Sequence, residues 1–172
     1  PERHLGLVPA NESQQAMATI DYLAAKVTQS IDLDRLKEIT YRETSAPEKR
    51  PQIRHEKTIT VAVARDAAFG FYYPDDLEAM QALGAEVIFF DSMKDTHLPK
   101  ADALFIGGGF PETHLKELAG NQSMLDSIKQ AIEAGLPTYA ECGGLMYLCD
   151  TIAWQGTKEK MVGVIPASIE MH

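Results

Sequence analysis

From residue 58 onward, short runs of β-branched and aromatic residues recur, each separated from the next by a stretch long enough for a helix. The runs are TITVAVA (58–64), EVIFF (86–90), DALFIG (102–107) and PTYAE (137–141). A strand buried on both faces reads as a continuous apolar run of this kind rather than as an alternation. Between them, Leu77, Met80 and Leu83 recur at helical spacing and stop at Gly84. Two further helical stretches run over 113–119 and 122–134, the second stopped by Gly135. Residues 143–149 also read as helix, and MVGVIPA (161–167) as a late strand. Strand and helix alternating at this length predict an α/β fold, a mostly parallel sheet with helices on both faces, flavodoxin-like in plan.

The first part of the chain follows a different pattern. Asn11 followed by Gln14 has the form of a capping box, and Met17, Ile20, Leu23, Ala24, Val27 and Ile31 recur at helical spacing. Asp32 is placed to cap a second short helix carrying Leu33, Leu36 and Ile39. RETSAPEKRPQIRHEK (42–57), polar and broken by Pro47 and Pro51, reads as a linker. The chain thus divides into a helical piece (1–41), a linker (42–57) and an α/β domain (58–172). Its start at Pro1 suggests a cut within a longer chain.

Composition narrows the function classes. A formal net charge of -9 argues against a nucleic-acid partner, because phosphate binding needs a basic face. No apolar run approaches the roughly 18 residues of a membrane span, and the N-terminus has no signal-peptide core. The 2 cysteines do not make a disulfide framework. On one helix Cys142 and Cys149 would lie about 10 Å apart, beyond the roughly 7 Å that a bridge allows. Two free thiols suit a reducing cytoplasm.

In open α/β sheets, functional groups collect beyond the carboxyl ends of the strands. Two such ends stand out, IGGGFPE (106–112) and AECGG (140–144). The first is not a dinucleotide fingerprint, since Glu112 stands where a third glycine is needed and would repel a pyrophosphate. It is either a tight turn or a loop whose Gly108 and Gly109 amides point into a crevice and can stabilise an oxyanion. In the second, Ala140, Gly143 and Gly144 leave room for a nucleophile elbow that lifts Cys142. A following helix N-terminus would favour the thiolate. Taken alone, a cysteine beside glycines is more often a buried thiol, and Cys149 among Leu145, Met146 and Leu148 fits that description. Beside the glycine loop, Cys142 reads instead as the nucleophile of an amide-cleaving site. Its proton-transfer partner is not evident: His4, His55, His97 and His172 sit in polar or terminal segments, and nothing places His114 beside it. Glu112 and Glu141 are not assigned as acids, because strand alternation turns Glu141 away from Cys142.

AFGFYYPDDLEAMQALGAEVIFF, LFIGGGFPETH and PTYAECGGLMYL together resemble the glutaminase domain of the cobyrinic acid a,c-diamide synthase family, a branch of the class I glutamine amidotransferases. ERHLGLVPANE with IDLDRL is similar to the end of that family's synthetase domain. The resemblance implies that Cys142 attacks the glutamine amide and that the amides of Gly108 and Gly143 hold the oxyanion. Ammonia would then pass to a synthetase half, where ATP and Mg2+ activate the a and c carboxylates of a cobyrinate corrinoid. It also implies a general-base histidine in a Gly-His-Glu-Phe-like segment beyond His172, and no carboxylate third member. The phosphate-binding loop is absent, so no cofactor is expected on this piece, which alone should carry the nucleophile but little activity. Asp76 stands where the family commonly has asparagine, and either can cap a helix. Two other readings stay open: the same chemistry on cobyric acid or a nickel tetrapyrrole, or a non-catalytic interface module. A stand-alone cysteine hydrolase is disfavoured by the synthetase-like tail.

Overall fold

The computed structural model describes residues 16–41 and 59–171, which fall into two compact units. The first holds α1 (Ala16–Ser30) and α2 (Leu33–Thr40). Asp32 caps α2 as expected, its carboxylate accepting the Arg35 N–H at 2.9 Å. The α1 stripe of Met17, Ile20, Leu23 and Val27 is exposed throughout, as is Ile31 just after it. The Asn11–Gln14 capping box and the linker over 42–57 lie outside the described residues.

The second unit is built on four parallel strands, β1 (Ile59–Ala64), β3 (Ala85–Phe90), β4 (Ala103–Ile106) and β6 (Thr138–Ala140), in the order β3-β1-β4-β6. Period-two alternation sends Ala62, Ala64, Leu104 and Ile106 to one face. There they meet Leu115 and Leu118 of α4 (Leu115–Gly120), Met124, Leu125 and Ile128 of α5 (Gln122–Glu133), and Tyr147 and Leu148 of α6 (Gly143–Leu148). Val61, Val63 and Phe105 point the other way, toward the loop residue Tyr72 and toward Met80 of α3 (Pro74–Ala82). Helices therefore cover both faces of a parallel sheet. Pro74 opens α3 with Asp75 and Asp76 in its first turn, and Gly84, at φ 97°, supplies the left-handed turn into β3.

Two sequence boundaries move. The helix after Cys142 ends at Leu148, and Cys149 begins β7 (Cys149–Trp154). An apolar run with β-branched residues behind it suits either state, and pairing of Cys149 with Ile165 decides for strand. The late strand is β9 (Ile165–Glu170), not 161–167. Met161, Val162, Gly163 and Val164 form a turn instead, their amides bound to carbonyls of residues 147–150, and Gly163 at φ 69° excludes a continuous strand. Trp154 and Thr157 face each other across a two-residue turn, Gln155–Gly156, in which both residues have positive φ. This hairpin adds β8 (Thr157–Lys160), giving a second sheet ordered β8-β7-β9. Unread in the sequence was a two-stranded antiparallel ribbon of β2 (Phe69–Phe71) and β5 (Gly108–Gly109).

Candidate active site

The ends of β4 and β6 lie side by side, since Ile106 pairs with Ala140 in the parallel ladder. Both chains must turn there. After β6 the turn is abrupt: Glu141 leaves the strand, and Cys142 heads α6 with φ 49° and ψ -117°. A side-chain-bearing residue in this region costs about 1–3 kcal/mol and persists only where the surroundings impose it. The thiol it carries is exposed.

The surroundings consist mostly of backbone. A Cβ on Gly143 would lie 2.8 Å from Pro111 Cδ and 2.9 Å from the Gly109 carbonyl oxygen. A Cβ on Gly144 would overlap the carbonyls of Ile106 and Gly107, and one on Gly109 would overlap Ala68 O. Glycine is therefore required at all three positions for close approach, not for φ. Hydrogen bonds close the seam: Gly144 N–H donates to Gly107 O at 3.0 Å and to Glu141 O at 2.8 Å, and Glu141 N–H donates to Ile106 O at 3.1 Å. The result is a sharp strand–turn–helix that lifts Cys142.

The structure brings the sequence candidates together. The Cβ position of Gly108 is 3.6 Å from Cys142 Cβ and 3.3 Å from Phe71 Cβ. Gly143 follows Cys142 as the first residue of α6, where a helix leaves amides without intrahelical acceptors. Gly109 lies against Gly143 and pairs with Phe69 in the β2–β5 ribbon. Cys149, by contrast, is buried, its thiol donates to Leu145 O at 3.4 Å, and burial followed by the Asp150 charge pushes its pKa up.

The two neighbouring carboxylates have surroundings of their own. Glu141 accepts the Tyr139 hydroxyl at 2.9 Å and lines a groove of about 770 Å³ with Asp76, Met80, Leu83 and Phe105, over the α3 face of the sheet. That bond is the first cause of Tyr139's raised pKa. Glu112 is buried in a 3-10 turn (Pro111–His114). Of the described histidines, His97 is paired with Thr96 Oγ1 at 3.0 Å, and His114 closes the same 3-10 turn with its Nε2 buried. No cluster of three or more His, Cys, Asp or Glu suited to a metal occurs among the described residues, nor any helix long and apolar enough to cross a membrane.

Two residues near the site were not singled out from the sequence. Asp66 shapes the turn that leads into β2, its carboxylate accepting Ala68 N–H at 2.8 Å and Phe69 N–H at 3.0 Å. Tyr72 accepts the Gly107 N–H at 3.0 Å. The only signal for either was an acidic residue before a short aromatic run, which no periodicity explains.

Residues 60–172 match the CobB/CobQ-like glutamine amidotransferase domain. A cobyrinate a,c-diamide synthase of Magnetococcus marinus is 40% identical over 99% of this chain, and one of Caldanaerobacter subterraneus is 42% identical over 99%. A third, of Listeria innocua, is 45% identical over 95%. The chain spans 38% of the length of the first two relatives and 37% of the third. A crystal structure of a protein titled as a peptidase E from Listeria monocytogenes shares the fold, with a TM-score of 0.52 and 21% identity over 65% of each chain. The chain belongs to the CobB/CobQ-like glutamine amidotransferase family.

Proposed function

We propose that this chain is the glutaminase portion of an ATP- and glutamine-dependent amidoligase, and that Cys142 is its nucleophile. The observation that carries the reading is the exposed thiol on a left-handed, strained backbone at the turn from β6 into α6, beside Gly108. The Cys142 thiolate attacks the side-chain amide carbon of glutamine, forming a C–S bond and a tetrahedral oxyanion. Amides of Gly108 and Gly143 hold that oxyanion, with Gly109 setting the spacing between them. The C–N bond then breaks, its nitrogen takes a proton and leaves as ammonia, and water hydrolyses the thioester to glutamate and free thiol. A histidine outside the described residues supplies the proton transfers.

The names of the relatives support cobyrinate as the acceptor, with its a and c carboxylates amidated by the released ammonia. ATP and Mg2+ act there on the acceptor carboxylates, in the portion of the protein this chain does not span. The test uses the full-length enzyme. Cys142→Ala should abolish glutamine-dependent amidation, by at least about 1,000-fold, while amidation from free ammonia continues. Loss of both activities would make the cysteine structural, and retention of both would remove it from the chemistry.

A further inference from the structure

Tyr72 ties one of the strand ends on which the site is built, that of β4, to the end of β1, its neighbour on the other side. Its hydroxyl donates to the Ala64 carbonyl at the end of β1 and accepts the Gly107 N–H, 3.0 Å away, just past the end of β4. β1 and β4 are sheet neighbours whose register runs from Val61–Ala103 to Val63–Phe105. Beyond that point the two backbones are linked through the phenol.

The ring is fixed as well. It stands edge-on to Phe105, with centroids 5.2 Å apart and planes at 88°. It also fills the space over Gly107, where a Cβ would come within 2.6 Å of Tyr72 Cε1. Gly107 is not among the glycines with positive φ, so the ring alone accounts for glycine there.

The contact continues into the site on two sides. Gly107 O accepts the Gly144 N–H at 3.0 Å, in the first turn of the helix headed by Cys142. Gly107 also precedes Gly108, which pairs with Phe71, the residue before Tyr72. A phenol can donate to one strand and accept from the next through one oxygen, at the reach of a long, rigid side chain. Burial pushes its pKa up to about 12, which keeps that proton in place.

We propose that Tyr72 is a positioning residue for glutamine hydrolysis: by holding Gly107 from β1, it sets the height of the Gly108 amide against Cys142. The proposal rests on the glutaminase reading. Tyr72→Phe keeps the ring and its contact with Phe105 but leaves Gly107 N–H without its acceptor. In the full-length enzyme, glutamate release by Tyr72→Phe should show kcat reduced about 10- to 100-fold with the glutamine KM within about threefold. Amide exchange should quicken at 107–108 and stay slow across β1. Gly107→Ala, which displaces the ring from the other side, should reproduce the kcat loss. A folded Tyr72→Phe enzyme with wild-type kcat overturns the proposal, even if its unfolding midpoint drops. Cys142→Ala separates the two levels: if it still releases glutamate, the glutaminase reading itself fails. If it is inactive while Tyr72→Phe turns over normally, only the positioning role is lost.

Discussion

Cys142 carries its side chain at φ 49° and ψ -117°, the conformation of the first central residue of a type II′ turn, where glycine is the residue at ease. Stability and chemistry therefore pull against each other at one position. Cys142→Gly should raise stability by about 1 kcal/mol over Cys142→Ala, because alanine keeps the Cβ that makes the turn strained. Urea unfolding of the two variants measures the difference, and an alanine variant equal to or more stable than the glycine one would remove strain from the account. Cys142, Gly108, Gly109 and Gly143 stood out in the sequence only in combination, a thiol among small residues at one strand end and a glycine loop at another, since either alone has a commoner structural use. That they meet in space was not visible, since the approach of Gly108 to Cys142 depends on the pairing of Ile106 with Ala140. Tyr72 was hidden for a related reason: a half-buried tyrosine in a loop carries no periodicity, and its two partners lie 8 and 35 residues away.

Among the elements, β1, β3, β4 and β6 were legible because each is a short apolar run between two helix-length segments. The β2–β5 ribbon was not. One of its strands is Gly108–Gly109, which offers no side-chain pattern, and its register is interrupted between Phe69 and Phe71. Backbone geometry and the packing of Phe69 on Tyr147 and of Phe71 on Phe110 sustain it, and Asp66 supplies much of that geometry. Besides the Ala68 and Phe69 amides on Oδ1, its Oδ2 accepts the N–H and the hydroxyl of buried Ser92, both at 2.7 Å. An amide in place of this carboxylate turns donors toward donors. Asp66→Asn should cost about 2–4 kcal/mol and Ser92→Ala about 1 kcal/mol, read from urea midpoints. Equal, small losses for both would mean that the turn is held by something other than the carboxylate. The misplaced late strand has a similar origin, because MVGV and IPA are equally apolar and only Gly163 hints at the turn between β8 and β9.

At the scale of the whole molecule, burial of two tyrosines sets an alkaline limit. Desolvation raises Tyr72 from 10.0 to about 12, and burial followed by the Asp66 charge raises Tyr147 as well. Both shifts favour the neutral phenol in the folded state. Their contribution is complete below pH 10 and is lost as pH rises, because the unfolded chain ionises first. For Tyr72 the loss is spread up to about pH 12 and amounts to about 2–3 kcal/mol. Denaturant unfolding from pH 8 to 11 should show stability falling above pH 10, with a shallower fall in Tyr72→Phe. A flat profile would contradict the burial of both hydroxyls.

The seam between Gly107–Gly109 and Gly143–Gly144 has one more consequence, for how such a site can be inherited or transplanted. The constraint runs one way: Gly143 makes room for Gly109 and Gly144 for Ile106 and Gly107, whereas a Cβ on Gly107 or Gly109 would meet Tyr72 or Ala68. The cysteine turn can therefore settle against another strand end only if it brings both of its glycines, while the glycines of the facing loop would have to travel with the Ala68–Tyr72 segment that they accommodate.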